Sequence, residues 1–384
     1  MDFDFSDDQE MLRDSVRKWV AKGYDAERRK RIVQAGGFSR EAWRELADLG
    51  LTGLFVPEAH GGMGFGATDA MVVMEELGRG LVLEPYAQGA LIAGGVLSAC
   101  APQPAVDGWL AKIAAGDALM VLAHQERGAR FKLAHVETSA KAAGGAWTLN
   151  GAKSLVPAGD QADAFIVPAR VSGAVDDPAG IALFLVERRA TGVKARGYGT
   201  ADGARAAEVT LADAPATLLV PAGGTTNAGH AALEHAVDIG IAALCAEAVG
   251  AMDQLVAVTV EYMNTRKQFG VAIASFQALR HRIADVKMQL ELARSMSYFA
   301  TLKMNEPAAA RRRALAQAKY QLGVSMRFVG QQCIQLHGGI GVTDEYIAGH
   351  YFKRLTVMEL SFGDTLHQLG EVSDRMQDTA GVFA

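Results

Sequence analysis

From Leu233 onward, apolar or small side chains recur every three or four residues: Leu233, Val237, Ile241, Leu244, Ala248, Met252, Leu255, Thr259 and Met263. That spacing is the repeat of one helix face, so the stripe predicts a single uninterrupted helix. At about 1.5 Å per residue it is roughly 55 Å long. Such a stripe leaves water only if other long helices lie along it. Phe276, Leu279, Ile283, Val286 and Leu290 mark a second helix, which stops near Pro307. Ala314, Ala318, Leu322, Val329 and Cys333 mark a third, ending at Gly338-Gly339. Two shorter helices are expected over residues 344–358 and 364–376. Long antiparallel helices with short connections make a four-helix bundle, here residues 226–384.

Residues 1–118 read as a domain of shorter helices. Ser6 with Gln9 forms a capping box, and Leu12, Val16 and Trp19 follow at helical spacing. Ser39 caps a helix carrying Trp43 and Leu46, which Gly50 stops. A third starts at Thr68 or Asp69 and includes Met74 and Leu77; two more cover residues 87–97 and 106–115, the last ending at Gly116. Between 119 and 225 the period changes to alternation. Runs at 136–140, 146–149 and 152–156 are separated by Gly144-Gly145 and Asn150-Gly151, the latter a strong hairpin signal. Further strands are expected at 165–167, 181–186 and 207–211, which together fit a small antiparallel barrel or sandwich.

The 384 residues are 50% hydrophobic and 21% charged, enough to bury a large core. A net charge of −5 argues against nucleic acid as the ligand. Cys100, Cys245 and Cys333 follow no metal or redox spacing and read as free thiols of a reducing compartment. No run of about 18 uncharged apolar residues occurs, so no membrane span is expected. The N-terminus carries Asp2, Asp4, Asp7 and Asp8 without an apolar segment, unlike a signal peptide, and a cytoplasmic location is expected.

Nucleophile elbows, Walker loops and paired-histidine metal motifs are absent. His230 and His235 face different sides of their helix, so no metal site is expected. The glycines of Gly61-Gly62-Met63-Gly64-Phe65-Gly66 follow no strand and precede no Lys-Ser or Lys-Thr, so a turn between helices is the preferred reading. Gly338-Gly339-Ile340-Gly341 is either a helix C-cap or a place where a ligand comes close to backbone.

Taken jointly, several weak motifs resemble the acyl-CoA dehydrogenase family. They are Arg266-Lys267-Gln268-Phe269-Gly270, Phe276-Gln277-Ala278-Leu279 and Gln335-Leu336-His337-Gly338-Gly339-Ile340-Gly341. Val56-Pro57-Glu58, Gly61-Gly62, Met74-Glu75-Glu76-Leu77-Gly78 and Leu149-Asn150-Gly151-Ala152-Lys153 extend the likeness over the chain. The resemblance implies a mainly α fold with a middle β-domain: an N-terminal helical domain, a β-barrel or sandwich, and a C-terminal four-helix bundle. It implies FAD, bound between two chains, and α,β-dehydrogenation of an acyl-CoA substrate, with electron-transfer flavoprotein as acceptor. By similarity, Arg266, Gln268, Phe269, Gln277, Gln335, Gly338 and Gly339 contact the ADP half of a neighbouring chain's FAD. A permanent forked cation such as Arg266 suits pyrophosphate.

The sequence departs from that family where catalysis is expected. The usual glutamate base is missing from Leu360-Ser361-Phe362-Gly363-Asp364-Thr365, and the alternative position on the long helix is Gly240. The flavin-contacting segments read His124-Gln125-Glu126-Arg127-Gly128-Ala129-Arg130-Phe131 and Leu155-Val156-Pro157, without the expected hydroxyls. The loss is one-sided, which is expected of a non-catalytic subunit that pairs, as α2β2, with a second acyl-CoA dehydrogenase subunit. Phe328-Val329-Gly330-Gln331-Gln332 and His350-Tyr351-Phe352-Lys353-Arg354-Leu355 resemble the small subunit of pimeloyl-CoA dehydrogenases. The alternatives are a homodimer or homotetramer with Asp364 as substitute base, a base-free flavin elimination such as desulfination, and a non-enzymatic binding protein. For Asp364 the preferred reading is the N-cap of the last helix.

Overall fold

The computed structural model describes residues 5–100, 103–224 and 227–376. Asp2 and Asp4, part of the acidic N-terminus, lie outside the described residues. The helices are α1 (Asp7–Gly23), α2 (Ala26–Gln34), α3 (Arg40–Asp48), α4 (Ala67–Arg79), α5 (Ala93–Ser98), α6 (Pro104–Ala114), α7 (Ala228–Thr265), α8 (Gln277–Leu302), α9 (Ala308–His337), α10 (Ile347–Leu360) and α11 (Thr365–Met376). The strands are β1 (Met120–Leu122), β2 (Ser139–Ala143), β3 (Ala146–Pro157), β4 (Ala164–Arg170), β5 (Ile181–Glu187), β6 (Val193–Gly199), β7 (Arg205–Val220), β8 (Lys267–Gln268) and β9 (Val271–Ala272). They pack into two compact units: Met1–Lys30, Ala67–Val82 and Ile241–Ala384 form one, Arg31–Gly66 and Leu83–Gly240 the other, so the boundary falls within α7.

In the helical unit the expected stripe is one helix: α7 runs unbroken for 38 residues. By length and composition α7 is apolar enough to cross a membrane, yet 72% of its most apolar window is buried inside the protein. It is apolar because it is a core helix. The expected capping box is present, with Ser6 and Gln9 bonding each other's backbone. The α4 and α7 backbones touch at two glycines. A Cβ on Gly78 would stand 2.1 Å from the Glu247 carbonyl oxygen, and one on Gly250 1.8 Å from that of Glu75. Ion pairs surround this crossing: Glu76 with Arg17 at 2.7 Å, and Asp253 with Arg79 at 2.6 Å and with Arg294 at 3.2 Å.

In the other unit the sheet closes on itself. Strands pair in the order β4-β2-β3-β7-β5 and back to β4, with β1 beside β4 and β6 beside β7. The barrel is mixed rather than antiparallel throughout, because β1 and β2 both run parallel to β4. The hairpin turn expected at Asn150-Gly151 lies instead at Gly144-Gly145, between β2 and β3. Asn150 and Gly151 sit inside β3, where its register against β7 shifts. Two contacts explain this. The Asn150 side chain donates to Asp213 Oδ1 at 2.7 Å and accepts from Asp213 N at 2.9 Å. A Cβ on Gly151 would come 2.7 Å from Thr138 Cα, so glycine serves close strand approach, not a turn.

Candidate cofactor-binding site

The end of α7 and the end of α9 form one cavity in the helical unit. Beyond Thr265, β8 and β9 make a two-residue hairpin whose central residues, Phe269 and Gly270, have φ of 53° and 81°. Two positive φ values define a type I′ turn, which asparagine and glycine favour and phenylalanine does not. The Phe269 ring stands 92% exposed, edge-on to Phe276 at 6.1 Å. α9 stops at His337, and Gly338 turns the chain with φ of 63°. A Cβ on Gly338 or Gly339 would meet nothing within 4 Å, so both backbones face open space.

The cavity measures about 610 Å³, and Arg266, Gln268, Gln335, Gly338 and Gly339 line it. Residues far apart in sequence thus come together there. Phe269 and Gln277 do not line it: the turn holds Phe269 out at the hairpin tip, and Gln277 is the exposed first residue of α8. Tyr262, Arg282 and His337 line it too, though the motifs assign them no role. The signal for Arg282 was its place three residues after Leu279, hence on the same face of α8. Among the described residues, neither Arg266 nor Arg282 has an ion-pair partner. His337 is only 3% exposed. Its Nδ1 lies 2.8 Å from the Cys333 carbonyl, while its Nε2 is enclosed and has no hydrogen-bond partner among the described residues. Tyr262 and Tyr346 flank its ring at 4.7 and 5.1 Å. Burial holds the His337 imidazole below its ordinary pKa, against an opposing contribution from the Cys333 carbonyl. Two guanidiniums without ion-pair partners and open glycine backbone suit an anion.

The region matching the family's base lies between α10 and α11. Lys319, fully buried on α9, donates to the carbonyls of Met358, Glu359 and Gly363 at 3.1, 2.9 and 3.2 Å. Burial lowers its pKa to about 8. Gly363 is closed in: a Cβ there would stand 2.3 Å from His367 Cδ2. Asp364 Oδ1 accepts from His367 N at 2.8 Å, an N-cap bond for α11. The nearby Glu359 is 6% exposed and accepts from Thr365 N at 3.0 Å and from Arg327 at 3.1 Å.

In the barrel unit, Glu126 of the segment matching one flavin contact is structural. Its carboxylate accepts from Lys153 Nζ at 2.6 Å, from the Glu137 and Thr138 amides, and from the Thr138 hydroxyl. Burial would raise its pKa, but Lys153 and these donors hold it below the usual range. His124 is pushed down to about 4 by burial, with Lys153 adding to the shift. Leu155, in the other matching segment, has φ of 51° within β3 and is 51% exposed. The described residues contain no cluster of three metal-ligating side chains.

These arrangements belong to a recognised class of flavoenzyme. Residues 6–117, 122–213 and 227–377 match the N-terminal, middle and C-terminal domains of acyl-CoA dehydrogenase. The chain is 31% identical over 355 residues to the mitochondrial long-chain specific acyl-CoA dehydrogenase of Sus scrofa, covering 89% of this chain and 80% of that one. It is 27% identical to acyl-CoA dehydrogenase FadE27 of Mycobacterium tuberculosis, covering 89% of each. Among solved structures, the ChsE4-ChsE5 complex from Mycobacterium tuberculosis aligns with a TM-score of 0.87 and 26% identity, over 98% of this chain and 99% of that one. The protein belongs to the acyl-CoA dehydrogenase family, FAD-dependent oxidoreductases that act on the CH–CH bond of acyl-CoA thioesters.

Proposed function

We propose that this chain is the base-lacking subunit of a heteromeric acyl-CoA dehydrogenase, contributing the ADP side of an FAD site to a partner subunit. The observation that carries the reading is the state of Gly363 and Asp364. Gly363 has φ of 101°, which strains any side chain placed there, and of the carboxylates nearby Asp364 caps α11 while Glu359 accepts from Thr365 N and Arg327. The intact cavity points the same way, because its two carboxylate-free arginines suit a pyrophosphate. Arg266 and Arg282 would hold the phosphates, and Gly338 and Gly339 would let backbone approach them. Phe269, exposed on its strained turn, would be covered by cofactor or partner. FAD, when bound, supplies the hydride-accepting chemistry. The α-proton would then leave to a carboxylate of the partner, since this chain presents none at the matching place.

The likeness to the ChsE4-ChsE5 complex supports assembly with a second gene product, and the likeness to the steroid ACAD Tcur3481-Tcur3483 keeps bulky acyl groups open beside dicarboxylyl ones. Electron-transfer flavoprotein as acceptor, a cytoplasmic site of action and the three-domain division at 118 and 225 belong to the same reading.

The chain is to be purified alone and with a co-expressed acyl-CoA dehydrogenase that carries the glutamate. Stoichiometric FAD and acyl-CoA oxidation are expected only from the pair; turnover by the chain alone would overturn the reading. Asp364→Ala in the active pair separates cap from base. Loss of about 1 kcal/mol of stability with kcat within tenfold is expected of a cap. A fall of several orders of magnitude would make Asp364 the base.

A further inference from the structure

Around the crossing of α4 and α7 the arginines have taken their carboxylates, and one carboxylate is left over. Arg13 pairs with Glu10 at 2.8 Å, Arg17 with Glu76 at 2.7 Å, Arg79 with Asp253 at 2.6 Å, and Arg294 with Asp253 and Glu291, both at 3.2 Å. Glu75 of α4 makes no hydrogen bond or ion pair among the described residues. It is 4% exposed, and its Oε1 is enclosed. The charged and titratable groups that face it are Arg13 of α1, Glu76 and Arg79 of α4, and Arg294 and Tyr298 of α8. α4 cannot draw back from α7 here, because a Cβ on Gly250 would stand 1.8 Å from the Glu75 carbonyl oxygen. A buried carboxylate without a counter-ion or donor is costly, and such a group lowers that cost by keeping its proton. Burial accordingly raises the Glu75 pKa, against the pull of Arg294, Arg13 and Arg79. A glutamine would fill the same place with nothing to ionise.

We propose that Glu75 is a proton-operated latch of the helical unit: as a neutral acid it lets α1, α4 and α8 pack together, and once ionised it competes with Asp253 for Arg294 and loosens that packing. Arg294 is the cation that acts on Glu75 most strongly. It is also the arginine that can leave without stranding a carboxylate. Asp253 keeps Arg79 at 2.6 Å, and Glu291 keeps Lys287 at 2.7 Å. The sign of the pH dependence follows. An unburied glutamate titrates near 4.5, and the folded chain holds the proton above that pH. Stability from the neutral acid is therefore complete below about 4.5 and is lost as pH rises through the folded pKa. The latch is independent of what the cavity between α7 and α9 binds.

Infrared difference spectra, denaturant melts and amide exchange of the full-length chain test this. About one pH unit above 4.5, the native chain is expected to show the carbonyl stretch of a protonated carboxylic acid, which Glu75→Gln lacks. From 4.5 upward, the unfolding constant of the native chain should rise about tenfold per pH unit relative to Glu75→Gln, until Glu75 ionises. Beyond that point amide exchange in α1 and α8, corrected for its intrinsic pH dependence, should be about tenfold faster in the native chain than in the variant. In Arg294→Met the acid carbonyl should persist to higher pH, since the cation that the ionised group turns to is gone. A native spectrum without that carbonyl overturns the proposal, as do parallel melts of native and Glu75→Gln chains. Equal exchange in the two chains overturns the latch even if Glu75 is neutral, and an Arg294→Met titration identical to the native one removes its mechanism. If Glu75→Gln does not fold, the native chain alone still answers. Loss of the acid carbonyl with rising pH must then coincide with faster exchange in α1 and α8, and exchange that ignores that loss overturns the proposal.

Discussion

Phe269 and Leu155 share an uncommon backbone state. Both have positive φ, 53° and 51°, and both expose their side chains, by 92% and 51%. A β-strand or turn gains nothing from a bulky residue in that conformation, so the strain points to use. Phe269→Asn is expected to stabilise the isolated chain by about 1 kcal/mol, because asparagine suits the first position of a type I′ turn. The same change should weaken FAD binding in the assembled enzyme, measured by equilibrium dialysis, if the exposed ring meets the cofactor. Gain of stability without loss of FAD would leave Phe269 a purely local feature. Arg282 carries a complementary expectation. Arg282→Met and Arg266→Met should each weaken FAD about tenfold and flatten its salt dependence, as expected for two cations on one pyrophosphate. Arg266 was legible in the sequence because it stands in a recognisable motif. Arg282 was not, because its meaning depends on which turn of α8 faces a cavity formed by distant residues.

Among the elements, helices were far more legible than strands. The α7 stripe repeats along one helix, so the period that announces it is fully local, and Ser6, Ser39 and Gly50 marked helix ends from neighbouring residues alone. The barrel depended on pairing partners that local sequence does not name. Asn150-Gly151 carries turn chemistry, yet Asp213 across β7 and Thr138 beside β2 make it a bulge. β6 went unseen because its alternation covers only Val193 to Arg196, with no fully buried side chain and two glycines after it, so that pairing with β7 is what defines it. The link from α9 to the α10–α11 turn makes a testable element. Lys319 ties Met358, Glu359 and Gly363 together, and its folded pKa of about 8 lies below the 10.5 of an unburied lysine. Between those values the unfolded chain binds the extra proton, so this group adds stability as pH rises from about 8 to 10.5. The gain is at most about 3 kcal/mol. Denaturant melts of native and Lys319→Met chains over that range should differ in slope, with the native chain gaining relative to the variant. Parallel slopes would show that Lys319 titrates as it does in the unfolded chain.

At the scale of the whole molecule the helical unit displays apolar side chains that a solitary protein has little reason to expose. Leu366, Leu369 and Met376 are 77%, 44% and 60% exposed, and their spacing of three and seven places them on one face of α11. Val342 and Phe269, 75% and 92% exposed, belong to the same unit. Water-exposed apolar rows of this kind are covered by another chain in proteins that assemble. Sedimentation of the purified chain with its proposed partner should give a stable hetero-oligomer at micromolar concentration. Leu366→Lys combined with Leu369→Lys should weaken that assembly at least tenfold while leaving the melting temperature of the isolated chain within a few degrees, since both side chains face solvent there. Unchanged assembly would move the interface off α11. A variant that lost its own fold as well would show that α11 packing, rather than the exposed row, had been disturbed, and Leu366→Gln with Leu369→Gln would then repeat the comparison at lower cost to the helix. Under the proposed pairing the partner brings the carboxylate base, and chains that share a reaction must share a surface.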